Sequence, residues 1–281
     1  MGLVFNIIKA VIYGVVQGIT EWLPISSTGH LILINSFLPL NLYEDAASNE
    51  AFWNMFKVVI QFGSILAVLL IYWNKLNPFN KSLTEKKKRS IYRLWIKIII
   101  ACVPAGIAGI LLDDLIDSVL SSSLVIAFTL VLYGVLFIWM ENRETQYTVE
   151  KVKDITPKKA FLVGCFQMLA LIPGTSRSGA TIFGSTLLGF NRTTAAEFSF
   201  FMAIPVMFGA SLLKIIKAHI AYNVASITVL LVGTLVSFAV SVFAIRSLLS
   251  YIRQHDFKVF GIYRIILGII VAICCFAGVI A

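Results

Sequence analysis

The sequence predicts an all-helical, polytopic membrane protein, and its composition and apolar runs carry this prediction. Of its 281 residues, 59% are hydrophobic and 13% are charged, about half the charged share of a typical soluble protein. The mean hydropathy of +0.90 agrees with this class. Several apolar runs approach or exceed the ~20 residues that a helix needs to cross a bilayer. We therefore expect one membrane domain over residues 1–281.

Six apolar runs are long enough to predict spanning helices. They cover about residues 55–73, 94–112, 119–140, 195–213, 223–245 and 259–280. Four shorter apolar pieces stand in two pairs, each pair around a polar island, at residues 3–20 and 31–39 and at residues 160–172 and 181–190. We expect each pair to form a re-entrant helical hairpin, because non-helical backbone at membrane depth must be buried in protein or line a cavity.

The order of these elements predicts an inverted-topology repeat. Each hairpin is followed by three spans, which divides the chain into halves of about 1–140 and 159–281, joined by a cytoplasmic loop over 141–158. Lysine and arginine gather in loops 74–93, 141–159 and 246–258. Acidic residues gather in loops 40–54 and 113–118. If the basic loops are cytoplasmic, the acidic loops face outward and the two hairpins enter the membrane from opposite sides.

The positive charge of the chain is explained by these loops. The formal net charge is +9, which by itself could indicate a nucleic-acid partner. The sequence has no basic patch interleaved with aromatic residues and no nucleic-acid-binding signature. We therefore expect membrane lipids, and no nucleic acid, around this protein.

Two polar islands interrupt the apolar runs. The first is Gln17-Gly-Ile-Thr-Glu-Trp-Leu-Pro-Ile-Ser-Ser-Thr-Gly-His30, and the second is Gln167-Met-Leu-Ala-Leu-Ile-Pro-Gly-Thr-Ser-Arg-Ser-Gly-Ala-Thr181. Both begin with a glutamine and then run proline, hydroxyl residues and glycine in the same order. The first island contributes Glu21 and His30, and the second contributes Arg177. We interpret them as two halves of one site.

The islands have the features of an anion site. Pro24 and Pro173 each suit the first turn of a helix, where a missing N–H group costs nothing. The backbone N–H groups and hydroxyls that follow would then meet an anion at two helix N-termini. The residues predicted to bind substrate phosphate in this way are Gln17, Ser26, Thr28, Thr175, Ser176, Ser178 and Thr181.

Three further side chains predict phosphoryl chemistry. Ser27 and His30 stand three residues apart, so a hydroxyl and an imidazole could meet, with Glu21 beside them, as in an activated nucleophile. Arg177 could grip two phosphate oxygens at once. Clusters of small polar residues also serve helix packing in membranes, but a charge at the bilayer centre costs about 2.5–3.5 kcal/mol or more. Several such groups together therefore indicate a function.

With these residues in view, the sequence resembles the bacterial undecaprenyl-diphosphatases, also called bacitracin resistance proteins. The two islands look like the two signature motifs of that family. The resemblance extends to Ile60-Gln-Phe-Gly63, to Ala195-Ala-Glu-Phe-Ser-Phe200 and to Tyr263-Arg264. The family's first motif begins with Glu or Gln, and this chain has Gln17.

The resemblance implies an activity and a location. The expected activity removes the terminal phosphate of undecaprenyl diphosphate, which regenerates the lipid carrier for peptidoglycan and confers bacitracin resistance. The expected location is the bacterial inner membrane, in a multi-pass protein whose active site opens to the outer face. The resemblance also implies a divalent cation, Mg²⁺ or Ca²⁺, which Glu21 could help to hold. The sequence leaves open whether the chain forms a homodimer.

Two classes of function stay open at this point. In the first, Ser27 attacks the terminal phosphorus with His30 as base, Glu21 orients His30 or the metal, and Arg177 stabilises the transferring phosphoryl group; His30 as nucleophile is the rival mechanism. In the second, the chain is a transporter or flippase that moves a lipid phosphate or another anion by alternating access, because inverted repeats with broken helices are also a transporter architecture.

Overall fold

The computed structural model of the chain describes residues 2–120, 122–217 and 220–280, with side chains at 113–120 outside the description. The helices are α1 (Gly2–Thr20), α2 (Ser27–Phe37), α3 (Ala46–Ile71), α4 (Trp73–Leu76), α5 (Glu85–Leu120), α6 (Ser123–Glu141), α7 (Pro157–Met168), α8 (Arg177–Leu187), α9 (Arg192–Lys217), α10 (Val224–Ile252) and α11 (Lys258–Phe276). Short 3-10 turns lie at Val152–Asp154 and Leu169–Leu171. The described residues form no β-strand, so the predicted all-α class is confirmed.

Seven of the described helices are long and apolar enough to cross a membrane. Six of them are the predicted spans: α3, α5, α6, α9, α10 and α11. The seventh is α1, which the sequence analysis assigned to the first hairpin and which runs unbroken for 19 residues. In contrast, α2, α7 and α8 have 11 or 12 residues. At 1.5 Å per residue they reach less than ~20 Å and cannot span.

Local sequence signals explain where several helices begin. The Asp45 side chain caps α3 by accepting a hydrogen bond from the backbone N–H of Ser48. Thr156 caps α7 in the same way, and Pro157 occupies its first turn. Several predicted boundaries are wrong: α3 begins at Ala46 inside the expected loop 40–54, α5 begins at Glu85 inside the expected loop 74–93, and α10 continues to Ile252 inside the expected loop 246–258. Helix α5 also continues through residues 113–118, where a loop was expected. The side chains of Asp113, Asp114 and Asp117 in that stretch lie outside the described part of the chain.

The first hairpin consists of α1, a turn over residues 21–26, and α2. Its open end is closed by hydrogen bonds from the start of α1 to the segment after α2. The Nδ2 atom of Asn6 donates to the Asn41 carbonyl at 2.9 Å, and the Tyr13 hydroxyl donates to the Leu38 carbonyl at 2.9 Å. The two helices therefore run antiparallel, and the turn lies at the far end of the pair.

The second hairpin consists of α7, a turn over residues 169–176, and α8. Its open end is closed where the Thr148 N–H donates to the Gly189 carbonyl at 2.8 Å, and the Lys159 Nζ donates to the Thr148 hydroxyl at 2.8 Å. Helix α9 starts beside this open end and runs for 26 residues, roughly 39 Å. It runs towards Ile220, which packs against the buried cluster that contains Leu40, a residue at the open end of the first hairpin. The hairpins thus enter the bundle from opposite ends.

The helix pairs follow a pattern that is unchanged when the two halves are exchanged. Helix α1 packs on α10 and α7 packs on α5, while α6 pairs with α11 and α3 pairs with α9. Let α1 correspond to α7, α3 to α9, α5 to α10 and α6 to α11. Exchanging the halves then turns the pair of α1 and α10 into the pair of α7 and α5, and it leaves the other two pairs unchanged. The division into halves of about 1–140 and 159–281 stays a prediction, and this pattern is the one that an inverted repeat requires.

Gly63 on α3 tests the close packing of α3 on α10, with Gly209 on α9 as the comparison. A Cβ atom on Gly63 would lie 2.1 Å from the Thr234 carbonyl oxygen, whereas one on Gly209 would have no neighbour within 4 Å. We expect Gly63→Ala to destabilise the protein by about 1–3 kcal/mol or more, because α3 must move away from α10. Gly209→Ala should be neutral or stabilising by up to ~1 kcal/mol, since alanine is the better helix former. Melting temperatures in one detergent measure both, and equal values would contradict this packing.

Candidate active site

The two turns end in the same local structure. Ser26 and Ser176 precede α2 and α8, with φ angles of 73° and 71° that non-glycine residues rarely adopt. The Ser26 hydroxyl accepts a hydrogen bond from the Gly29 N–H at 3.3 Å, and the Ser176 hydroxyl accepts one from the Gly179 N–H at 3.1 Å. Serine side chains therefore cap both helices, and both N-termini point into the junction of the hairpins.

The prolines lie in the turns and not in the helices. Helix α2 begins at Ser27 and α8 begins at Arg177, so the expectation that Pro24 and Pro173 open these helices is wrong. The positive φ angle of each capping serine explains the difference, because it separates the proline from the first helical residue.

The Glu21 carboxylate is the meeting point of the two islands. Its Oε1 atom accepts a hydrogen bond from the Nη2 of Arg177 at 2.9 Å. Its Oε2 atom accepts from the Ser27 hydroxyl at 2.8 Å and from the Nε2 of Gln17 at 2.9 Å. Glu21 is 5% exposed, so one buried carboxylate joins the serine of the first island to the arginine of the second.

The Arg177 guanidinium is held from several sides. Its Nη1 donates to the Ser199 carbonyl at 2.8 Å and to the Ser199 hydroxyl at 3.3 Å. The guanidinium also lies over the Trp22 ring, 5.7 Å from its centroid. Its Nε atom is buried and has no acceptor among the described residues. The side chain is therefore fixed in position, with one buried donor left unpaired.

His30 is engaged away from Ser27. Its Nδ1 lies 2.7 Å from the Ser26 carbonyl, which can only accept, so this nitrogen carries the proton. In the neutral ring, Nε2 then accepts from the Tyr263 hydroxyl at 2.7 Å, and the two rings are stacked. The contact expected between Ser27 and His30 is not among the hydrogen bonds of the described residues. Glu21 is the base that the Ser27 hydroxyl faces.

Apart from Glu21, the predicted catalytic and phosphate-binding residues divide by burial. Ser27, Thr28, His30, Ser176 and Arg177 are half-buried and able to meet a ligand. The others are buried: Gln17, Ser26, Thr175, Ser178 and Thr181. The Ser178 hydroxyl donates to the carbonyls of Glu21 and Leu23, and Thr181 donates to the Arg177 carbonyl at 2.8 Å. These buried hydroxyls brace the turns.

Arg264 is a central residue to which the sequence analysis assigned no role. It is fully buried on α11, and its Nη1 donates to the Pro24 carbonyl at 3.1 Å. Its Nη2 donates to the carbonyls of Gly174 and Thr175, both at 3.0 Å. Arg264 thus ties the two turns together. The available signal was its charge, the only one between residues 259 and 280 of an apolar run.

The site carries a net positive charge. Arg177 is neutralised by Glu21, whereas Arg264 has only carbonyl partners and Tyr133 beside it, with no ion pair in the described chain. A buried cation without a carboxylate, next to two helix N-termini, favours an anionic ligand.

The same residues do not fit a resident divalent cation. Both oxygens of Glu21 are taken by Arg177, Ser27 and Gln17. The described residues contain no group of three or more His, Cys, Asp or Glu side chains that could hold a metal ion. Mg²⁺ and Ca²⁺ require several oxygen ligands, and this site does not supply them from the protein alone.

All of the site residues named above lie in the part of the chain that matches known proteins. The family model described as bacitracin resistance protein BacA matches residues 10–270. A protein of Acetivibrio thermocellus named undecaprenyl-diphosphatase is 50% identical over 270 residues, which is 95% of this chain and 97% of that protein. Its namesake in Enterococcus faecalis is 52% identical over 271 residues, 95% of this chain and 96% of that protein. Undecaprenyl-diphosphatase 1 of Clostridioides difficile is 52% identical over 266 residues, 95% of each chain.

The role of Arg264 in joining the turns predicts a stability loss on conservative replacement. A lysine ammonium is a single point donor and cannot reach the carbonyls of both turns, so Arg264→Lys leaves buried acceptors unpaired at ~1–3 kcal/mol each. We expect the melting temperature in detergent to fall by at least about 5 °C. Arg246→Lys, on the exposed face of α10, is the matched control. An Arg264→Lys protein that melts with this control would contradict the role.

Proposed function

The chain belongs to the family of the bacitracin resistance protein BacA, and from this premise we propose that it hydrolyses undecaprenyl diphosphate to undecaprenyl phosphate and inorganic phosphate. This reaction recycles the lipid carrier for cell-wall synthesis and confers bacitracin resistance. The observation that carries the proposal is the Glu21 carboxylate, which binds the Ser27 hydroxyl at 2.8 Å and the Arg177 guanidinium at 2.9 Å. A nucleophile, its base and a phosphate-binding cation are in contact.

In the first step, Ser27 is the nucleophile and Glu21 is the base. The Ser27 proton moves to the Oε2 of Glu21 as the serine oxygen bonds to the terminal phosphorus. The bond from that phosphorus to the bridging oxygen breaks, and undecaprenyl phosphate leaves. Arg177 contributes its free Nε donor and the uncompensated charge of Arg264 lies nearby, so the negative charge of the transferring group is stabilised.

In the second step, water hydrolyses the phosphoserine. His30 is placed for this role, because its Nε2 lone pair faces a hydroxyl on a partly exposed residue, Tyr263. A water that displaces this hydroxyl loses its proton to Nε2 and attacks the phosphorus. The bond from phosphorus to the Ser27 oxygen breaks, Glu21 returns its proton to that oxygen, inorganic phosphate leaves, and His30 releases the proton it took to bulk water. The assignment differs from the one expected from the sequence, in which His30 activated Ser27, and follows the hydrogen bonds that each side chain makes.

The divalent cation stays a prediction, but the expected source of its oxygen ligands changes. Because Glu21 is occupied, most oxygen ligands for Mg²⁺ or Ca²⁺ would come from the diphosphate itself and from water, as is usual for Mg²⁺ at phosphate sites. The cation would then accompany the substrate, and no step above depends on it.

The assignment of Ser27 predicts a specific loss of turnover. Purified protein in detergent should release inorganic phosphate from undecaprenyl diphosphate, and Ser27→Ala should reduce kcat by about 10³-fold or more. Ser36→Ala, an exposed hydroxyl on the same helix, should keep normal turnover. Acid quenching during turnover should trap phosphoserine at position 27.

Other outcomes of this assay have defined meanings. An acid-labile phosphohistidine at position 30 would make His30 the nucleophile. No phosphate release by the folded wild-type protein, in detergent where membrane sidedness is lost, would contradict the hydrolase and favour a transporter.

We further propose that the site opens to the outer face. The basic loops lie at one end of the bundle, where Lys75 pairs with Glu197 and Arg192 pairs with Glu141, and the positive-inside rule places this end in the cytoplasm. From the site towards the other end, α2 is buried only at Gly29 and Leu31. Towards the basic end, every residue of α8 from Ser178 to Thr186 is buried. Helix α2 is thus less buried than α8, which supports an opening at the end away from the basic loops.

Cysteine labelling tests this orientation. In a cysteine-free background, Ala47→Cys and Ser82→Cys place exposed thiols at opposite ends of the bundle. In right-side-out vesicles, an impermeant maleimide should label position 47 directly and position 82 only after permeabilisation. The reverse pattern would place the basic end outside, and equal labelling of intact vesicles would contradict a fixed orientation.

A further inference from the structure

A cleft of about 1180 Å³ opens at the basic end of the bundle, away from the catalytic residues. One wall is the first three turns of α5, where Lys86, Arg89, Arg93 and Lys97 follow at spacings of three or four residues and share one helix face. The opposite wall carries Lys151 and Lys153. We call this the basic cleft.

The walls of the basic cleft are fixed by contacts within the protein. The Nζ of Lys97 donates to the Lys153 carbonyl at 2.9 Å and joins the two walls. At the floor, Lys75 binds both oxygens of Glu197 at 3.0 Å. The cleft is therefore formed before any ligand arrives, which lowers the cost of binding.

Most of its cations lack a carboxylate partner. Among the described residues, no Asp or Glu oxygen lies within 4 Å of Arg89, Arg93, Lys151 or Lys153 as an ion pair. Like charges one helical turn apart on α5 repel one another. Positive charge that serves only to orient the chain could be spread over the loops, whereas here it converges on one concave surface. Glu85 and Glu150 also line the cleft, but its cations outnumber its carboxylates, so the arrangement favours an anionic ligand.

The residue types indicate phosphate chemistry. Arginine forks match phosphate oxygens, lysines add point charges, and Ser90 and Thr193 supply hydroxyls in the same cleft. At the cytoplasmic membrane surface, the abundant phosphate anions are phospholipid headgroups. We propose that the basic cleft binds the phosphate of an anionic phospholipid headgroup, at a site separate from the one that hydrolyses the diphosphate. The proposal does not depend on the hydrolase activity.

Such a ligand would lie next to the helix that positions Arg177. Glu197 and Phe201 of α9 line the cleft, and Ser199, between them, accepts both hydrogen bonds from the Nη1 of Arg177. A headgroup held against this turn of α9 would therefore stabilise the fold close to the site.

Binding of phosphatidylglycerol to the full-length protein tests the proposal. Native mass spectrometry in neutral detergent gives the Kd for phosphatidylglycerol, with phosphatidylcholine, which is zwitterionic and has no net charge, as the comparison. Arg89→Gln/Arg93→Gln should raise that Kd by about tenfold or more, since each cation near an anionic lipid contributes on the order of 1 kcal/mol. The control Lys214→Gln/Lys217→Gln removes the same charge from the other end of the bundle and should leave it unchanged. Circular dichroism checks folding, and Lys151→Gln/Lys153→Gln on the opposite wall replaces any variant that fails to fold.

A second arm separates the sources of phosphate. Inorganic phosphate in place of the lipid is titrated while the melting temperature is followed. One outcome would overturn the lipid assignment: inorganic phosphate stabilises the wild-type protein but not the Arg89→Gln/Arg93→Gln protein, while phosphatidylglycerol binds all proteins alike. The cleft would then be a phosphate site whose ligand is the free anion. If neither probe distinguishes the cleft variants from the Lys214→Gln/Lys217→Gln control, the basic cleft is not an anion site.

Discussion

Backbone at the tips of two broken helices must find hydrogen-bond partners at a depth where water is scarce, and the rest of this structure depends on how that is achieved. Arg264 supplies donors to the carbonyls of Pro24, Gly174 and Thr175. The capping hydroxyls of Ser26 and Ser176 supply acceptors for the first N–H groups of α2 and α8. Without these partners each buried polar group would cost several kcal/mol in the membrane interior. The turns can therefore carry reactive side chains only because their backbone is satisfied.

The two hairpins share a scaffold and divide the chemistry. Gln17 and Gln167 stand at equivalent places before their turns, and both are buried. In the first half, Gln17 donates to Glu21 one turn later. In the second half, Leu171 stands four residues after Gln167, where the first half has Glu21. Both polar side-chain atoms of Gln167 lack a partner among the described residues. The first half therefore holds the carboxylate, and the second half supplies the cation that pairs with it.

Most of the fold and part of the site could be predicted from the sequence. Hydrophobic run length identified six spans, and the repeated order of proline, hydroxyls and glycine identified both turns. The helix starts at Ser27 and Arg177 were missed, because a positive φ at a serine has no local sequence signal. The partner of His30 was also missed, because Tyr263 is 233 residues away and helical spacing favoured Ser27, only three residues away. Local periodicity identifies neighbours within one helix, whereas the contacts of this site run between helices.

The same contacts bear on the choice between a hydrolase and a transporter. Alternating access requires the two halves to move apart around the site. Here the pair of Glu21 and Arg177 crosses between the halves, and so does the bond from Arg264 to the Pro24 carbonyl. Breaking a buried ion pair costs about 3–5 kcal/mol, because a charge is left without compensation. A site that must part at every cycle would carry this cost each time, whereas a site that performs chemistry benefits from being held still. The rigid junction therefore favours hydrolysis at a fixed site.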